Sequence, residues 1–179
     1  MMRIGFVNTG TIQQNASTIR CLQLGKLLVQ DGHEVFLFLS NQFDNRKRYG
    51  EEYHGIQMRY TAAGTLREQV SKTRLISSVK LDYIHCMSSG SSVHFPGWLA
   101  KWRQGGYPCL IMDFDEWQSL WMRQPKRLYQ AAWELFACKF SDRVIFASHY
   151  LMGQLGRHVP PNRRFYLPYA VDGEQFSTD

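Results

Sequence analysis

The densest chemistry in this sequence is the run Asp113-Phe-Asp115-Glu116-Trp117, with Trp121 four residues further on. Three carboxylates within four residues raise one another's pKa unless a cation or hydrogen bonds relieve them. If the strand that carries them continues, alternation puts Asp113 and Asp115 on one side. Carboxylates accept hydrogen bonds from sugar hydroxyls, and an indole face packs on the apolar face of a pyranose. Acids beside tryptophan therefore point to carbohydrate. The same residues also suit a helix N-terminus, where acids oppose the helix dipole and the tryptophans enter the core.

A second polar segment, Asn8-Thr-Gly-Thr-Ile-Gln-Gln-Asn-Ala-Ser17, offers amides and hydroxyls at the start of a helix. Backbone N–H groups there favour a phosphate or a sugar hydroxyl, and a capping loop without a ligand fits as well. Ser148 and His149 follow another apolar run, and His149 also reads as a solvent-facing residue at a helix start. His85 lies within a strand and reads as a core histidine. Several chemistries are excluded. The first loop has one glycine, so it is not the GxGxxG dinucleotide fingerprint, and no GxxxxGK[ST] or GxSxG motif occurs. Cys21, Cys86, Cys109 and Cys138 lie far apart without a CxxC, which excludes a zinc site of the usual spacing.

The elements that must position these residues alternate from start to finish. Strands are expected at Arg3–Asn8, Glu34–Leu39, Asp82–Met87, Cys109–Met112, Asp142–Ala147 and Phe165–Pro168, with an edge strand at Ile56–Tyr60. Helices are expected at about Ser17–Gln30, Leu66–Val79, around Trp98-Leu99 to Trp102, at Pro125–Phe140, and from there after Ala147 to about Gly156. Asn41–Gly50 is polar and basic and reads as a loop. The first helix has an apolar stripe of Ile19, Cys21, Leu22, Leu24, Leu27 and Leu28, and Gly32 suits the left-handed position that ends it. Apolar residues on both faces of Glu34–Leu39 mark a strand buried in a parallel sheet. The fold class is α/β, a Rossmann-like three-layer α/β/α domain with a mostly parallel sheet. Ligands on such sheets sit at the carboxyl ends of the strands.

With 179 residues, 44% hydrophobic and 20% charged, the chain is one globular domain and not a disordered or low-complexity segment. Lys plus Arg number 21 against 15 Asp plus Glu, a net charge of +6 that suits anionic partners without choosing among them. No run of about 18 apolar residues occurs, and the opening MMRIGFVNTG lacks the apolar stretch of a signal peptide. The reading is a soluble cytoplasmic domain with its cysteines reduced.

Five segments, in order, carry a resemblance that covers nearly the full length. They are Arg3-Ile-Gly-Phe-Val, the step Leu27-Leu28-Val-Gln-Asp-Gly-His-Glu-Val35, Leu81-Asp-Tyr-Ile-His85, Asp142-Arg-Val-Ile-Phe-Ala-Ser148 and Tyr166-Leu-Pro-Tyr-Ala-Val-Asp-Gly-Glu-Gln-Phe176. Together they resemble the N-terminal domain of a GT-B glycosyltransferase, most like glycosyltransferase family 4. Two places depart from the family. Tyr169-Ala170 stands where its Asn-Gly precedes Val-Asp, and Phe114-Asp115 stands where a His-Asp pair often follows the fifth strand. A histidine's role therefore does not transfer. Asp113-Phe-Asp115 also spells the DxD of a different glycosyltransferase class, but that class's N-terminal pattern is missing and no metal is assigned.

The resemblance implies two Rossmann-like domains with the active site between them. Residues 1–176 would be the N-terminal, acceptor-side domain, and the C-terminal domain that binds most of the nucleotide sugar would be absent from this chain. It implies transfer of a sugar, usually with retention, from a nucleotide-sugar co-substrate to a glycan or lipid-linked acceptor, with no cofactor and no metal. The chain alone would be inactive. On that reading Gly10 and Thr11 approach the donor phosphate or the transferred sugar through backbone N–H groups, and Gln13 and Asn15 line the acceptor path. Asp115 is the catalytic candidate, orienting acceptor hydroxyls with Glu116, while Trp117 is a stacking platform and Ser148 and His149 face the cleft. Basic residues at Arg46-Lys-Arg48, Arg123, Lys126-Arg127 and Arg163-Arg164 suit peripheral contact with an anionic membrane. Aromatics interleaved with basic residues are too sparse to favour nucleic acid. A non-catalytic Rossmann-like binding or regulatory domain, or a subunit of a split transferase, is the alternative.

Overall fold

The computed structural model describes residues 1–10, 16–41 and 45–168. Among them, β1 (Arg3–Val7), β2 (Glu34–Ser40), β3 (Glu52–Tyr53), β4 (Ile56–Thr61), β5 (Tyr83–Cys86), β6 (Cys109–Phe114), β7 (Arg143–Phe146) and β8 (Arg164–Tyr166) form one sheet in the order β3-β4-β2-β1-β5-β6-β7-β8. Every neighbouring pair is parallel except β3 with β4. Helices α1 (Ala16–Gln30), α2 (Asn45–Tyr49), α3 (Thr65–Ser77), α4 (His94–Arg103), α5 (Gln118–Trp121), α6 (Lys126–Phe140) and α7 (His149–Gln154) connect the strands. The α/β/α class expected from the alternation is the one observed.

The core has two layers because the central strands bury both faces. In β2, Val35, Leu37 and Leu39 pack with Ile4, Phe6, Cys21 and Met58 in the layer under α1. Phe36 and Phe38 point the other way and pack with Ile84, Met112, Val144 and Phe146 against α3, α4 and α6. Period-two alternation divides one continuous apolar run between the two layers.

Three local expectations are corrected. Ile56–Thr61 is not the edge strand, because Glu52–Tyr53 folds back on it as a short antiparallel β3. The turn between them, His54-Gly55, has positive φ at both residues (51° and 79°), the geometry of a two-residue hairpin turn that matches strand twist. Residues 45–49, read as loop, form α2, and the buried Asn45 side chain donates from Nδ2 to the Ser40 carbonyl at 3.0 Å, which ties the helix to the end of β2. In α1 the buried positions are Thr18, Arg20, Cys21 and Gly25, whereas Ile19 and Leu27 are exposed. Arg20 is turned inward by a buried partner on β6, described below. Asp31-Gly32 does end α1, with Gly32 at φ 81°.

Candidate functional site

The carboxyl ends of β1, β5 and β6 open onto one cleft of about 510 Å3. Its lining includes Thr9 and Gly10 after β1, Gly64 and Glu68 at the start of α3, Ser88 and Gly90 to Ser92 after β5, and Gln118 and Gln130 from α5 and α6. A larger groove of about 610 Å3 runs along the outer side of α3 from Tyr60 to Leu75. It is apolar apart from Arg67, Arg74 and Ser71, and the Ser71 hydroxyl already accepts from the Ala62 amide at 3.3 Å. The cleft at the strand ends has the hydrogen-bonding surface, so the chemistry is sought there.

A buried lysine fixes one wall. Lys72 Nζ donates to the Asn8 carbonyl (2.9 Å), the Ser92 carbonyl (2.9 Å) and Glu68 Oε1 (2.8 Å). All three of its protons are therefore used. Both side chains are buried, and the pair sits one helical turn apart on α3. Burial pulls the Lys72 pKa down, while the Glu68 carboxylate pushes it back up. The cation joins the end of β1 to the loop after β5, and so sets the distance between two sides of the cleft. Asn8 adds a second tie to α1, donating from Nδ2 to Thr18 Oγ1 at 2.8 Å.

The opposite wall is a chain of amides and hydroxyls. Gln130 Nε2 donates to Ser89 Oγ and to Gln118 Oε1, both at 2.9 Å. Gln118 Nε2 donates to Ser88 Oγ at 3.1 Å and to Glu116 Oε1 at 3.3 Å. Behind this wall the buried Glu134 of α6 accepts from the Ser119 amide (2.8 Å), the Ser119 hydroxyl (2.7 Å) and Trp117 Nε1 (3.1 Å). One carboxylate thus anchors the segment that follows β6.

Below the strand ends lies a charged group. Asp113 is fully buried and its Oδ2 accepts from Arg20 Nε at 3.0 Å, with His85 Nε2 at 3.3 Å. The other guanidinium nitrogens of Arg20 donate to the carbonyls of Leu167 (2.9 Å) and Pro168 (3.1 Å). The arginine therefore couples β6 to the segment leaving β8. Asp113 Oδ1 has no hydrogen-bond partner among the described residues. Cys21 lies beside this group. Burial, and then the Asp113 and Asp115 carboxylates, push its thiol well above the usual range, so it stays protonated.

The candidate residues fall in different places. Gly10 lines the cleft. Thr11, Gln13 and Asn15 lie outside the described residues. Asp115 accepts a hydrogen bond from the Ser17 hydroxyl at the start of α1. Glu116 is exposed and meets Gln118, whereas Trp117 is half-buried with its ring against the core and its N–H on Glu134. Ser148 caps α7 by accepting from the Leu151 amide at 3.2 Å. His149 is exposed and stacks on Tyr166 with ring centroids 4.0 Å apart. The crowded acids are thus split, with Asp113 neutralised inside and Asp115 and Glu116 outside. His85 is a buried histidine held by Asp113. Among the described residues, no group of three or more His, Cys, Asp or Glu converges to hold a metal ion.

Sequence reasoning missed Lys72, Glu68, Arg20, Gln118, Gln130 and Glu134. A Glu and a Lys four apart read as a solvated pair. The available signal was that Glu68, Lys72 and the buried Ile76 share one helical row.

The model of a known family, Glycosyltransferase Family 4, matches residues 18–175. Among solved structures, HepE from Anabaena, in complex with UDP-glucose, superposes with a TM-score of 0.71 at 13% identity, covering 100% of this chain and 47% of that one. Sucrose-phosphate synthase from Thermosynechococcus elongatus superposes with a TM-score of 0.69 at 13% identity, covering 98% and 50%. This chain spans about half the length of those structures, and at such identity the likeness shows the fold. No curated protein matches the chain.

Proposed function

The chain belongs to glycosyltransferase family 4, and from that premise we propose that it is the N-terminal, acceptor-binding domain of an enzyme that transfers a sugar from a nucleotide-sugar donor to a glycan or lipid-linked acceptor. The observation that carries this reading is the cleft at the ends of β1, β5 and β6, lined by hydroxyls, amides and small residues. Such a surface fits an acceptor rich in hydroxyls. HepE and sucrose-phosphate synthase extend to about twice this length, which supports a two-domain enzyme whose other domain holds most of the donor.

In this mechanism the domain contributes orientation. Ser88, Gln118 and Gln130 exchange hydrogen bonds among themselves for bonds to acceptor hydroxyls. Glu68, held by Lys72, presents a carboxylate edge, and the Gly10 backbone approaches the transferred sugar or donor phosphate. Glu116, which accepts from the cleft residue Gln118, adds a further acceptor for sugar hydroxyls, and Asp115 orients the attacking hydroxyl. A hydroxyl held in line gains much of its rate from avoided loss of freedom, up to about 7–11 kcal/mol in well-oriented systems. The transfer proceeds with retention and without a metal, and the enzyme works in the cytoplasm.

Saturation-transfer NMR with a panel of mono- and disaccharides tests the reading. Signal is expected for at least one glycan and should fall by about tenfold in Gln118→Ala and Gln130→Ala, since loss of one or two hydrogen bonds costs roughly 1–2 kcal/mol. Equal signal in wild type and both variants would refute the site.

A further inference from the structure

Helix α3 has two working sides. Its inner row, Glu68 and Lys72, serves the cleft. On its outer row Leu66 and Val70, one turn apart, are 73% and 44% exposed. They form a ridge with a trough on each side. One trough is the apolar groove of about 610 Å3 toward β4. The other, of about 140 Å3, lies against α4 and is walled by Phe95, Leu99 and Arg103. Three guanidiniums frame the ridge, Arg67 and Arg74 at the wide trough and Arg103 at the narrow one. Among the described residues, none of the three forms an ion pair. No carboxylate answers them from their own helices, because α3 and α4 together hold one acid, Glu68, and it is buried on Lys72. A helix layer that faces only water intersperses both signs of charge. This one presents an apolar ridge and a single sign.

We propose that the outer face of α3 docks an acidic amphipathic helix of a partner protein, whose apolar stripe straddles Leu66 and Val70 and whose flanking carboxylates meet Arg67, Arg74 and Arg103. Shape and charge each narrow the occupant. A ridge at i and i+4 with a groove on either side is the surface on which a second helix packs, ridge into groove. Apolar anchors at i, i+3, i+4 and i+7 are how a helix seats in such grooves. A flat bilayer would meet the ridge and leave both troughs unfilled. A nucleic-acid backbone would meet the arginines and leave the apolar walls wet. A second copy of this chain, docked through the same face, would bring like charges together. A helix with carboxylates beside its apolar stripe fills the troughs and pairs the arginines.

Docking needs neither donor nor acceptor, so it can be tested apart from sugar transfer. The 179-residue chain is titrated into fluorescein-labelled peptides and anisotropy is read. The probe is a helix-forming peptide of about 14 residues, matched to the roughly 20 Å of α3, with a Leu stripe and Glu on both flanks. Two reference peptides carry Gln or Lys in place of Glu. Saturable binding is expected for the Glu peptide, about tenfold weaker for the Gln peptide and absent for the Lys peptide, and it should weaken as salt rises. R67Q/R74Q/R103Q should weaken the Glu peptide by about tenfold, to the level of the Gln peptide. Leu66→Ser should weaken the Glu and Gln peptides alike, by about tenfold. All four side chains are exposed, and circular dichroism should show an unchanged fold. No saturable binding of the Glu peptide, equal affinity for the Glu and Gln peptides, or unchanged binding by both variants would each overturn the proposal. So would tighter binding, through the same four residues, of phosphatidylglycerol vesicles or duplex RNA. None of these outcomes bears on glycan signal in the cleft, so failure here leaves the acceptor reading standing.

Discussion

Replacing Lys72 by Met probes the wall of the cleft and the packing beneath it together. The change leaves the Glu68 carboxylate buried without a counter-ion and removes the donor from the Asn8 and Ser92 carbonyls. Breaking a buried pair by removing one partner costs about 3–5 kcal/mol. Ser92 lines the open cleft, so water can replace that bond, and we expect about 4 kcal/mol. At roughly 2–4 °C per kcal/mol for a domain of this size, the melting temperature should fall by about 8–16 °C. Glu68→Met should cost less, about 2–3 kcal/mol, because Lys72 keeps two carbonyls. The double variant removes both charges and should cost little more than Lys72→Met alone, a coupling of about 2 kcal/mol. A pH dependence follows from the direction of the Lys72 shift. Burial lowers its pKa in the folded chain, so stability is lost as pH falls through that value and recovers as pH rises toward the unfolded one. Without Glu68 the depression deepens, and Glu68→Met should recover stability more steeply than wild type as pH rises toward the ordinary lysine value. Urea unfolding followed by circular dichroism reads all four corners of the cycle. A cost below about 1 kcal/mol for Lys72→Met, or strictly additive single changes, would refute the buried bracket.

Two further perturbations follow from the geometry. Arg20→Leu leaves Asp113 charged and buried and should cost about 3–5 kcal/mol by thermal melting; Asp113→Asn in the same chain should recover part of it, and faster amide exchange at Leu167 should accompany the loss of its carbonyl tie. His94 is buried against Phe136 and Ser141, and burial lowers its pKa to about 3, so the unfolded chain binds a proton that the folded chain refuses. Stability should then fall by about 1 kcal/mol between pH 6.5 and 5.5, and His94→Gln should flatten that slope in urea titrations.

Much of the fold was legible because its signals are local. The two-faced apolar run Val35–Leu39 forced a central parallel strand, and Asp31-Gly32 marked the end of α1. The hairpin at His54-Gly55 was less visible, since a two-residue β3 is too short to show alternation. The site was harder to read for a different reason. Arg20 and Asp113 are 93 residues apart, and nothing local distinguishes an arginine aimed at a buried carboxylate from one aimed at water. Ile19 and Leu27 face solvent in α1 while Thr18 and Arg20 face inward, so the polar network at the strand ends overrode the apolar stripe. Gln118 and Gln130 were unmarked because amides carry no patterning signal until folding brings α5 and α6 together. The acid-rich run was placed correctly at the carboxyl end of a central strand, but β6 runs on through Asp113 to Phe114, and the three carboxylates serve separate environments.

The polar cleft, and not the apolar groove along α3, should receive the sugar-bearing acceptor. Amide-detected NMR of the labelled chain during titration with a binding glycan measures this directly. Progressive shifts are expected for the backbone of Gly10, Ser88 and Ser91 and for the side-chain amides of Gln118 and Gln130. Shifts confined to Ala62, Leu66 and Val70, with those five positions unmoved, would contradict it.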